Sequence, residues 1–588
     1  MNTSVRIIIT ALFSLIFFFT ACVDAPKEQQ AANNTVTVRL PADPGGLNLL
    51  LATTGYTSEI THYIFQPLLA FDPGSLELHP VLAKSRPQVA NITEGPWAGG
   101  SSYTFEIQED AVWDNGSPVT AEDYIFTLKI VLNPHLPLGR VRAYFSFLRD
   151  VEVDADNPRK FTVITNSPYI ISEAVLGNVE TFPRYVYDPE GLLEDITIRE
   201  LIDGADNEQL VAHAKLFESP QYSFDTQTIS GSGPYSVEEI TEDQQVVLER
   251  KANWWANGKQ EENHLLEAWP NRIVFKIIPD EAAAISLLKD QKLDVMAAIP
   301  NQEFSRMQED EYIKTHYNIH TPASLSYTLG AFNNKDPKLS DKRVRQALAK
   351  MLDLDLMIEK IAYGYAERVI GPIHPSKPYA HKKLQPIAYN PEEAKALLKE
   401  AGWSDSNQDG ILDKIINGQR VEMNLRVITP ANNSLSVNIA TLMKDLASAH
   451  GIKMDVQVQE LSTLLKTYRG RDYDMAVFSR RSLPILDDLK QSWHTSSDRP
   501  DGGNSIGFGN ARSDALIDGI RVELNEARRD SMYLAIQELI YEEQPVIFFW
   551  APVERIVINK RFEAASSSLR PGYFPGHFRL KNVGLADH

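Results

Sequence analysis

The sequence has almost no cysteine, no long basic run and only one long apolar run, at its amino terminus. Its 588 residues contain one cysteine, so no intrachain disulfide can form and no cysteine-based zinc site can be completed. The net charge is −20, whereas nucleic-acid binding needs basic patches, so no nucleic-acid partner is expected. Phosphate-binding loops, dinucleotide fingerprints and cysteine nucleophile motifs are missing too. The composition therefore gives no positive support for an enzyme.

The single cysteine, Cys22, stands at the end of an export signal. Arg6 precedes the apolar run Ile7–Phe19, and two small residues then lead to Cys22. This run is shorter than the roughly 20 apolar residues that a membrane-spanning helix needs. The pattern resembles the bacterial lipoprotein signal, which predicts a signal peptide over 1–22, a lipidated Cys22 and a flexible tether over 23–35. An ordinary signal peptide with an incidental cysteine is the alternative.

Strands and helices alternate along most of the remaining chain. Val36, Val38 and Leu40 alternate with polar residues as a first strand, and the strand at 273–277 leads into a helix that begins after Asp280. A short strand follows this helix, which predicts a βαβ unit. Residues 325–544 repeat the pattern and predict a doubly wound α/β lobe, whereas 85–227 reads as an α+β insertion.

The stretch Ser230–Trp255 organises the middle of the chain. Gly231 and Gly233 form a turn, two alternating strands follow, and the paired aromatics Trp254–Trp255 end the stretch. By itself this pattern predicts a β-hairpin.

Two motifs carry possible chemistry. Ser505 lies in a G-x-S-x-G motif, but turn-forming residues surround it where a nucleophile elbow needs a strand before and a helix after.

The loop at 405–413 places oxygen-bearing side chains at alternate positions around a glycine, as a calcium loop does, but Ile416 stands where a bidentate glutamate belongs. A polar turn is the alternative to calcium there. The possible calcium ligands are Asp405, Asn407, Asp409 and Asp413.

Six segments in the same order together resemble the family 5 extracellular solute-binding proteins of ABC importers, which include dipeptide- and oligopeptide-binding proteins. Each segment alone is weakly diagnostic, but their order and spacing are specific, and the resemblance covers nearly all of 36–560. The segments are Ile64–Ser85, Trp113–Phe126, Gly231–Trp255, Asp341–Ala366, Tyr389–Asp413 and Gln537–Trp550.

The resemblance implies an α/β fold, a periplasmic-binding-protein type II-like two-lobe clamp with an extra α+β domain. It implies no enzyme activity and no cofactor, but a monomer that captures a peptide or peptide-like solute between its lobes and docks on a membrane permease. It also makes Gly231–Tyr235 a point close to the hinge. The implied domains are a discontinuous central domain (36–84, 228–322 and 545–588), the extra domain (85–227) and a second α/β lobe (323–544).

One segment departs from the peptide-binding pattern. In peptide binders of the family, an acidic residue after a strand of the second lobe pairs with the peptide ammonium. Arg480 and Arg481 take that place here and predict an anionic or N-blocked ligand. The alternative has both arginines facing solvent, with Asp487 or Asp488 serving the ammonium. The other predicted ligand-binding residues are Thr53, Thr54, Gly55 and Trp493, although a packed tryptophan is the commoner role.

Three functions remain open at this point. The resemblance favours the substrate-binding lipoprotein of an importer, exported to the periplasm and anchored by lipid to the cell membrane or the outer membrane. A ligand-sensing receptor of the same fold, not coupled to transport, is the alternative. A secreted serine hydrolase using Ser505 is the third.

Overall fold

A seven-stranded sheet, here called the central sheet, unites distant parts of the chain. The structure is a computed structural model that describes residues 34–51, 54–431, 433–499 and 502–581. Thr35–Leu40 lies in the middle of the sheet, parallel to its neighbours Arg272–Ile277 and Val295–Met296. The spatial order is Tyr317–His320, Ile556–Asn559, Val295–Met296, Thr35–Leu40, Arg272–Ile277, Gln245–Arg250 and Tyr235–Thr241.

A six-stranded mixed sheet, the second sheet, forms the other lobe. Asn424–Pro430 is parallel to both of its neighbours, whereas Ser326–Phe332 is antiparallel to both of its own. The strands follow the order Ala366–Arg368, Val546–Pro552, Ser326–Phe332, Met475–Arg481, Asn424–Pro430 and Lys453–Gln459.

The extra domain has its own antiparallel sheet of four strands, in the order Gln88–Asn91, Ser101–Glu106, Lys160–Thr165 and Leu148–Val153. Smaller strand pairs lie elsewhere. They are Leu69–Phe71 with Leu78–Pro80, Asp413–Ile416 with Gln419–Glu422, and Phe562–Glu563 with Arg579–Leu580.

The helices surround these sheets, and many begin at a polar cap, as at Asp280 and Asn390. Central-domain helices are Gly55–Thr61, Glu281–Lys289, Asn301–Glu309 and Glu311–His316. Those of the extra domain are Ala121–Leu132, Gly139–Arg142, Ser172–Gly177, Arg184–Tyr187, Ile198–Ile202, Glu208–Phe217 and Gln221–Phe224. Those of the second lobe are Lys342–Lys350, Leu354–Ala362, Pro391–Glu400, Ser434–Ser448, Leu461–Arg469, Lys490–Trp493, Ala511–Val522 and Glu526–Glu543. Short 3₁₀ turns occur at Ala143–Phe145, His264–Leu266, Thr495–Ser497 and Pro575–His577.

The hydrophobic cores show which parts of the chain pack together. The central sheet and the extra domain share one continuous core, in which Phe275 of the former and Phe161 of the latter are both buried. The second sheet has separate cores on its two faces, represented by Val427 and Phe548. The extra domain is therefore joined to the central domain by a shared core, while the second lobe has cores of its own, one of which also includes Ile170 and Ile171 of the extra domain.

Two short segments carry the chain between the lobes. After Tyr317–His320 the chain leaves the central sheet, and after Val546–Pro552 it returns. The crossings run side by side, since Ser324 donates its N–H to Pro552 O at 2.9 Å and Glu554 donates its N–H to Pro322 O at 2.8 Å. Rotation of one lobe against the other therefore has to occur at this paired crossing.

The position of the return crossing corrects one predicted boundary. Residues 545–588 were expected in the central domain, but Val546–Pro552 pairs with Ser326–Phe332 and Ala366–Arg368 of the second sheet. Only the following strand, Ile556–Asn559, belongs to the central sheet. A continuous apolar strand suits the interior of either sheet, so its composition could not assign it to one lobe.

The stretch Ser230–Trp255 forms the predicted hairpin, with strands Tyr235–Thr241 and Gln245–Arg250. Its turn is not at the lobe crossing, however, which corrects the expectation of a hinge at Gly231–Tyr235. Gly233 donates its N–H to Ile64 O at 2.8 Å, and both tryptophan rings donate to Ser232 O, at 2.9 and 3.0 Å. The stretch therefore anchors the edge of the central sheet to the chain that follows helix Gly55–Thr61.

In the described ranges, no helix is long and apolar enough to cross a membrane. Cys22 and the signal peptide lie outside those ranges, as does nearly all of the tether.

Gly233 offers a test of this anchoring role. A Cβ there would lie well inside van der Waals contact with Tyr63 O and the carbonyl of Ile64. We expect Gly233→Val to lower the free energy of unfolding by about 3 kcal/mol, as backbone overpacking does. Urea denaturation measures this, with Gly139→Val as control because a Cβ at Gly139 meets nothing within 4 Å. An equal loss of unfolding free energy in Gly233→Val and Gly139→Val would contradict the anchoring role of Gly233.

Candidate ligand-binding cleft

A cavity of about 710 Å³ lies between the central domain and the second lobe. Its size falls within the few hundred to about 1,000 Å³ usual for small-molecule sites. The start of helix Gly55–Thr61 and the tail around Arg570 line one side, Glu180 of the extra domain contributes from another, and the segment after strand Met475–Arg481 closes it from the second lobe. Residues of both lobes therefore face one cavity.

The second-lobe wall is fixed by strand pairing. Arg481 is the last residue of its strand and lies opposite Ser326. Ser482 then donates its N–H to Leu325 O at 2.9 Å, which holds the wall beside the lobe crossing. The Ser482 side chain borders the cavity and is 6% exposed, and its hydroxyl has no hydrogen-bond partner among the described residues. The hydroxyl is thus a buried polar group without a partner at the edge of the cavity.

Four charged side chains line the cavity: Glu59, Glu180, Arg481 and Arg570. Within the described chain none of them forms an ion pair, and the nearest hydrogen-bond partner of Glu59 is the Tyr573 hydroxyl at 3.5 Å. Burial raises the pKa of Glu59 to about 7, against the opposing charge of Arg570. Burial likewise raises the pKa of Glu180 to about 7. Glu59, Glu180 and Arg570 are the charged site residues that sequence reasoning missed.

Neighbouring charges also affect the pKa values of these groups. Burial, and then the charge of Arg570, lower the pKa of Arg481. The charge of Arg570 also opposes the rise in the pKa of Glu59. The cavity therefore carries charged groups of both signs, contributed by both lobes.

Of the predicted polar segment near residue 54, the structure describes only part. Thr53 lies outside the described residues. Thr54 and Gly55 both border the cavity, and the Thr54 hydroxyl donates to Pro44 O at 3.0 Å. A Cβ at Gly55 would meet nothing within 4 Å, so its backbone faces open space in the cleft.

The two arginines of the predicted departure point in different directions, as successive strand residues do. Arg480 donates to Ser492 Oγ at 2.6 Å and borders a neighbouring cavity of about 460 Å³. Arg481 borders both cavities. Trp493 is 2% exposed and packs against Phe508 and Phe548, with ring centroids 5.8 and 6.4 Å away. Core packing, rather than stacking on a ligand, fits this tryptophan.

The two acids considered as alternative ammonium partners already have cationic partners. Asp487 forms an ion pair with Lys377 at 2.8 Å and accepts from the Tyr379 hydroxyl at 3.0 Å. Asp488 pairs with Arg521 at 3.0 Å. Their charges are therefore balanced inside the protein, unlike those of the cavity carboxyl groups.

Asp488 also belongs to a contact across the cleft. The hydroxyl of Tyr169, in the extra domain, donates to Asp488 of the second lobe at 2.7 Å. The Arg521 guanidinium lies 5.0 Å from the centroid of the Tyr169 ring, and Ile170 donates its N–H to Arg521 O at 2.9 Å. Tyr169, Asp488 and Arg521, here called the latch, thus join the extra domain to the second lobe.

The predicted calcium loop holds its side chains by internal hydrogen bonds. The Asp405 carboxylate accepts from the N–H groups of Asp409 and Gly410, at 3.1 and 3.0 Å, and Asn407 donates to Asp409 at 2.7 Å. The 4%-exposed Asp413 accepts from the Ser406 hydroxyl at 2.7 Å. Among the described residues no three His, Cys, Asp or Glu side chains are placed to hold a metal ion. A polar turn accounts for this loop, and calcium binding stays an untested prediction.

Ser505 has no support as a nucleophile. It is 5% exposed, and its backbone carbonyl accepts from Arg471 at 3.0 Å and from the Tyr473 hydroxyl at 3.1 Å. Residues 502–510 contain neither a strand nor an α-helix, so the strand–turn–helix that exposes such a serine is not formed.

Comparisons with known proteins agree with this architecture. The sequence model described as bacterial extracellular solute-binding proteins, family 5, matches residues 77–501. The oligopeptide-binding protein AppA of Bacillus subtilis is 24% identical over 567 residues, which cover 94% of each chain.

Solved structures share the fold. The structure of Bacillus subtilis AppA in complex with a nonapeptide has a TM-score of 0.63 at 22% identity and covers 93% of this chain and 99% of its own. HbpA2 from Haemophilus parasuis has a TM-score of 0.72 at 20% identity and covers 93% of this chain and 100% of its own. These likenesses show a two-lobe α/β clamp, as predicted.

The latch gives a prediction about closure. Tyr169→Phe removes the hydroxyl that binds Asp488 but keeps the ring beneath Arg521, so the closed form loses one hydrogen bond to a charged group. Such a bond contributes about 1.5–3 kcal/mol, and we expect the ligand-free protein to open and its radius of gyration in X-ray scattering to rise. Tyr144→Phe is the control. Tyr144 is 46% exposed and, like Tyr169, borders the cavity of about 460 Å³. An unchanged radius in Tyr169→Phe would show that the latch does not hold the lobes.

Glu180 gives a prediction about pH. Its pKa in the folded protein, about 7, exceeds the ordinary value of 4.5, so between these values the folded state binds more protons than the unfolded state. The contribution of Glu180 to stability therefore falls as pH rises from about 4.5 to about 7. The free energies of unfolding of the wild type and Glu180→Gln, measured in urea, should differ by an amount that shrinks or changes sign as the pH rises through this range. The variant is compared with the wild type because other groups also titrate. Burial lowers the pKa of His577, so the contribution of His577 to stability changes with pH in the direction opposite to that of Glu180.

The exposed Glu309→Gln serves as the matched control for this series. A difference between wild type and Glu180→Gln that does not change with pH would contradict the burial of this carboxyl group.

Proposed function

The chain belongs to the bacterial extracellular solute-binding proteins of family 5, and from this premise we propose that it captures peptides or peptide-like solutes for an ABC importer. The observation that carries the proposal is the cavity of about 710 Å³ walled by both lobes. A ligand held there contacts Arg481 of the second lobe and Glu180 of the extra domain at once, so it stabilises the closed arrangement. The closed protein then presents both lobes together to a membrane permease.

A peptide-like ligand suits the chemistry of the walls. The cavity combines charged groups of both signs with the buried hydroxyl of Ser482 and with the open backbone at Gly55. A peptide backbone offers donors and acceptors along its length, and its termini carry opposite charges. The similarity to the oligopeptide-binding protein AppA supports this choice.

The cellular setting is part of the proposal. An export signal ending at Cys22 and a polar segment over 23–35 support a lipid-anchored protein on a flexible tether, in the periplasm. The tether leaves the clamp free to reach a permease in the same or the facing membrane. The proposed form is a monomer, as the family resemblance implies.

A single blocking variant tests capture in the cleft. Gly55→Trp places an indole in the open space that faces Gly55, with no clash at the Cβ. A pool of random tri- to pentapeptides at about 100 times Kd should stabilise the wild type by about 2.7 kcal/mol, read as a rise in Tm, and should not stabilise Gly55→Trp. Native mass spectrometry of the gently released protein should likewise find a peptide on the wild type alone.

Gly139→Trp is the matched control, since a Cβ at Gly139 also meets nothing within 4 Å and this glycine lies outside the cleft. Stabilisation of Gly55→Trp equal to that of the wild type would place binding elsewhere. If no peptide stabilised the wild type, a peptide would not be the ligand.

A further inference from the structure

One cavity of the extra domain lies apart from the cleft. Its volume is about 800 Å³, within the range usual for small-molecule sites. All of its lining residues lie between 97 and 203, and none of them borders the cavity of about 710 Å³ between the lobes. Only Ala143 and Ser146 also border the cavity of about 460 Å³. The extra domain therefore builds this cavity by itself.

The inner wall of this cavity is apolar. Four of its residues are buried members of the core that the extra domain shares with the central sheet: Leu132, Phe145, Leu148 and Leu201. Trp97 also lines the cavity, but it is only partly buried and belongs to none of the hydrophobic cores that the described residues form. Core packing therefore does not account for Trp97, and the cavity offers an apolar surface to a ring.

Two arginines line the cavity without a carboxylate partner in the described chain. Arg142 donates through Nε and Nη2 to backbone carbonyl groups, of which Asn133 O is the nearest at 2.5 Å. Arg149 donates through Nη1 alone, to Leu148 O at 2.6 Å and to Ser146 O at 3.1 Å. A guanidinium has five N–H groups, so Nη1 of Arg142 and both Nε and Nη2 of Arg149 keep donors without an acceptor among the described residues. Backbone hydrogen bonds thus position two guanidinium groups that still have donors to offer a ligand.

The charge of the cavity is opposite to that of the whole chain. The third lining arginine, Arg199, pairs with Asp150 at 2.5 Å, and its guanidinium lies 5.5 Å from the centroid of the Trp97 ring. Asp203, which is exposed, is the only acidic residue among the described residues that line the cavity. Arg142 and Arg149 therefore leave an excess of positive charge, in a protein whose net charge is −20. Such a local excess attracts anions.

We propose that this cavity, here called the arginine pocket, binds a small organic anion that carries a planar ring. The anionic group accepts hydrogen bonds from the remaining donors of Arg142 and Arg149, since guanidinium groups suit carboxylate and phosphate oxygens. The ring lies against the apolar wall and Trp97. An inorganic anion leaves this wall in contact with water, and a neutral ring leaves the guanidinium donors without an acceptor, so each part alone binds more weakly. The site is separate from the cleft and does not depend on the capture of peptides.

Three probes test this chemistry: 1-naphthyl phosphate, 1-naphthol and inorganic phosphate. Isothermal titration calorimetry of the gently released protein measures the affinity for each probe. A hydrogen bond to a charged group corresponds to about a 10- to 100-fold change in affinity. We therefore expect 1-naphthyl phosphate to bind with one-to-one stoichiometry, and at least about 10 times more tightly than either of the other two probes.

Variants assign each part of the probe to its residue. Arg149→Gln should weaken the binding of 1-naphthyl phosphate by about 10-fold and leave that of 1-naphthol unchanged. Trp97→Leu should weaken 1-naphthyl phosphate by about fivefold and leave inorganic phosphate unchanged. Arg469→Gln, which is exposed and outside the cavity, is the matched control and should bind all three probes as the wild type does. The readout is the difference between probes, which a general loss of stability does not change.

The outcomes also separate the arginine pocket from the cleft. Arg481→Gln makes the same substitution in the cleft, so weaker binding of 1-naphthyl phosphate by Arg481→Gln but not by Arg149→Gln would place the anion in the cleft and overturn the proposal. Equal affinity for 1-naphthyl phosphate and 1-naphthol would show that the anionic group is not recognised, and equal affinity for the two phosphates would show the same of the ring. If 1-naphthyl phosphate did not bind to the wild type, the proposal would fail, whereas the peptide pools test the capture of peptides independently.

Discussion

The molecule depends on one constraint: the chain passes between its two large sheets at a single pair of adjacent segments. Ser324 and Pro552 are hydrogen bonded there, as are Glu554 and Pro322. Because the crossings lie side by side, the backbone can bend at both by small changes in φ and ψ, without disturbing either sheet. The separate cores on either side of the crossing make the lobes the rigid bodies and the crossing the flexible element.

The division into two lobes also determines to which lobe the extra domain belongs. It shares a core with the central sheet, so it moves with that lobe, and it meets the second lobe through Tyr169 and Ile170. The latch is therefore a second connection between the lobes, made by non-covalent contacts rather than by the chain itself. The clamp is held at one end by covalent chain and at the other by the latch and by the buried Ile170 and Ile171, so it opens at the second end, where these non-covalent contacts can separate.

Local signals predicted the elements well but could not assign every strand to a lobe. The helix that begins after Asp280 and the alternating strand at Arg272–Ile277 were predicted correctly, because capping and strand periodicity depend on a few neighbouring residues. Val546–Pro552 was placed in the wrong domain, because its all-apolar sequence carries no information about its partner strands. Local pattern gives the type of an element, whereas its neighbours come from long-range packing.

The site residues, too, could be predicted from the sequence only where a local pattern places them. The different directions of Arg480 and Arg481 were available from the two-residue period of a strand, so that signal was present in the sequence. Glu180 was not available, because it reaches the cavity only through its bridge to Pro67, more than 100 residues earlier in the chain. A charged residue positioned by a distant contact has no local signature in the sequence, and only the fold shows that no cation of the described residues forms an ion pair with it.

The placement of charged groups on both walls links recognition to motion. Arg481 belongs to the second lobe, whereas Glu180 and Arg570 belong to the extra and central domains. A ligand that contacts one wall gains little from closure, since it keeps the same partners whether the lobes are open or closed. A ligand that reaches both walls contacts all of its partners only when the walls approach, so its binding free energy differs between the two states. Only such a difference can shift the equilibrium between open and closed forms.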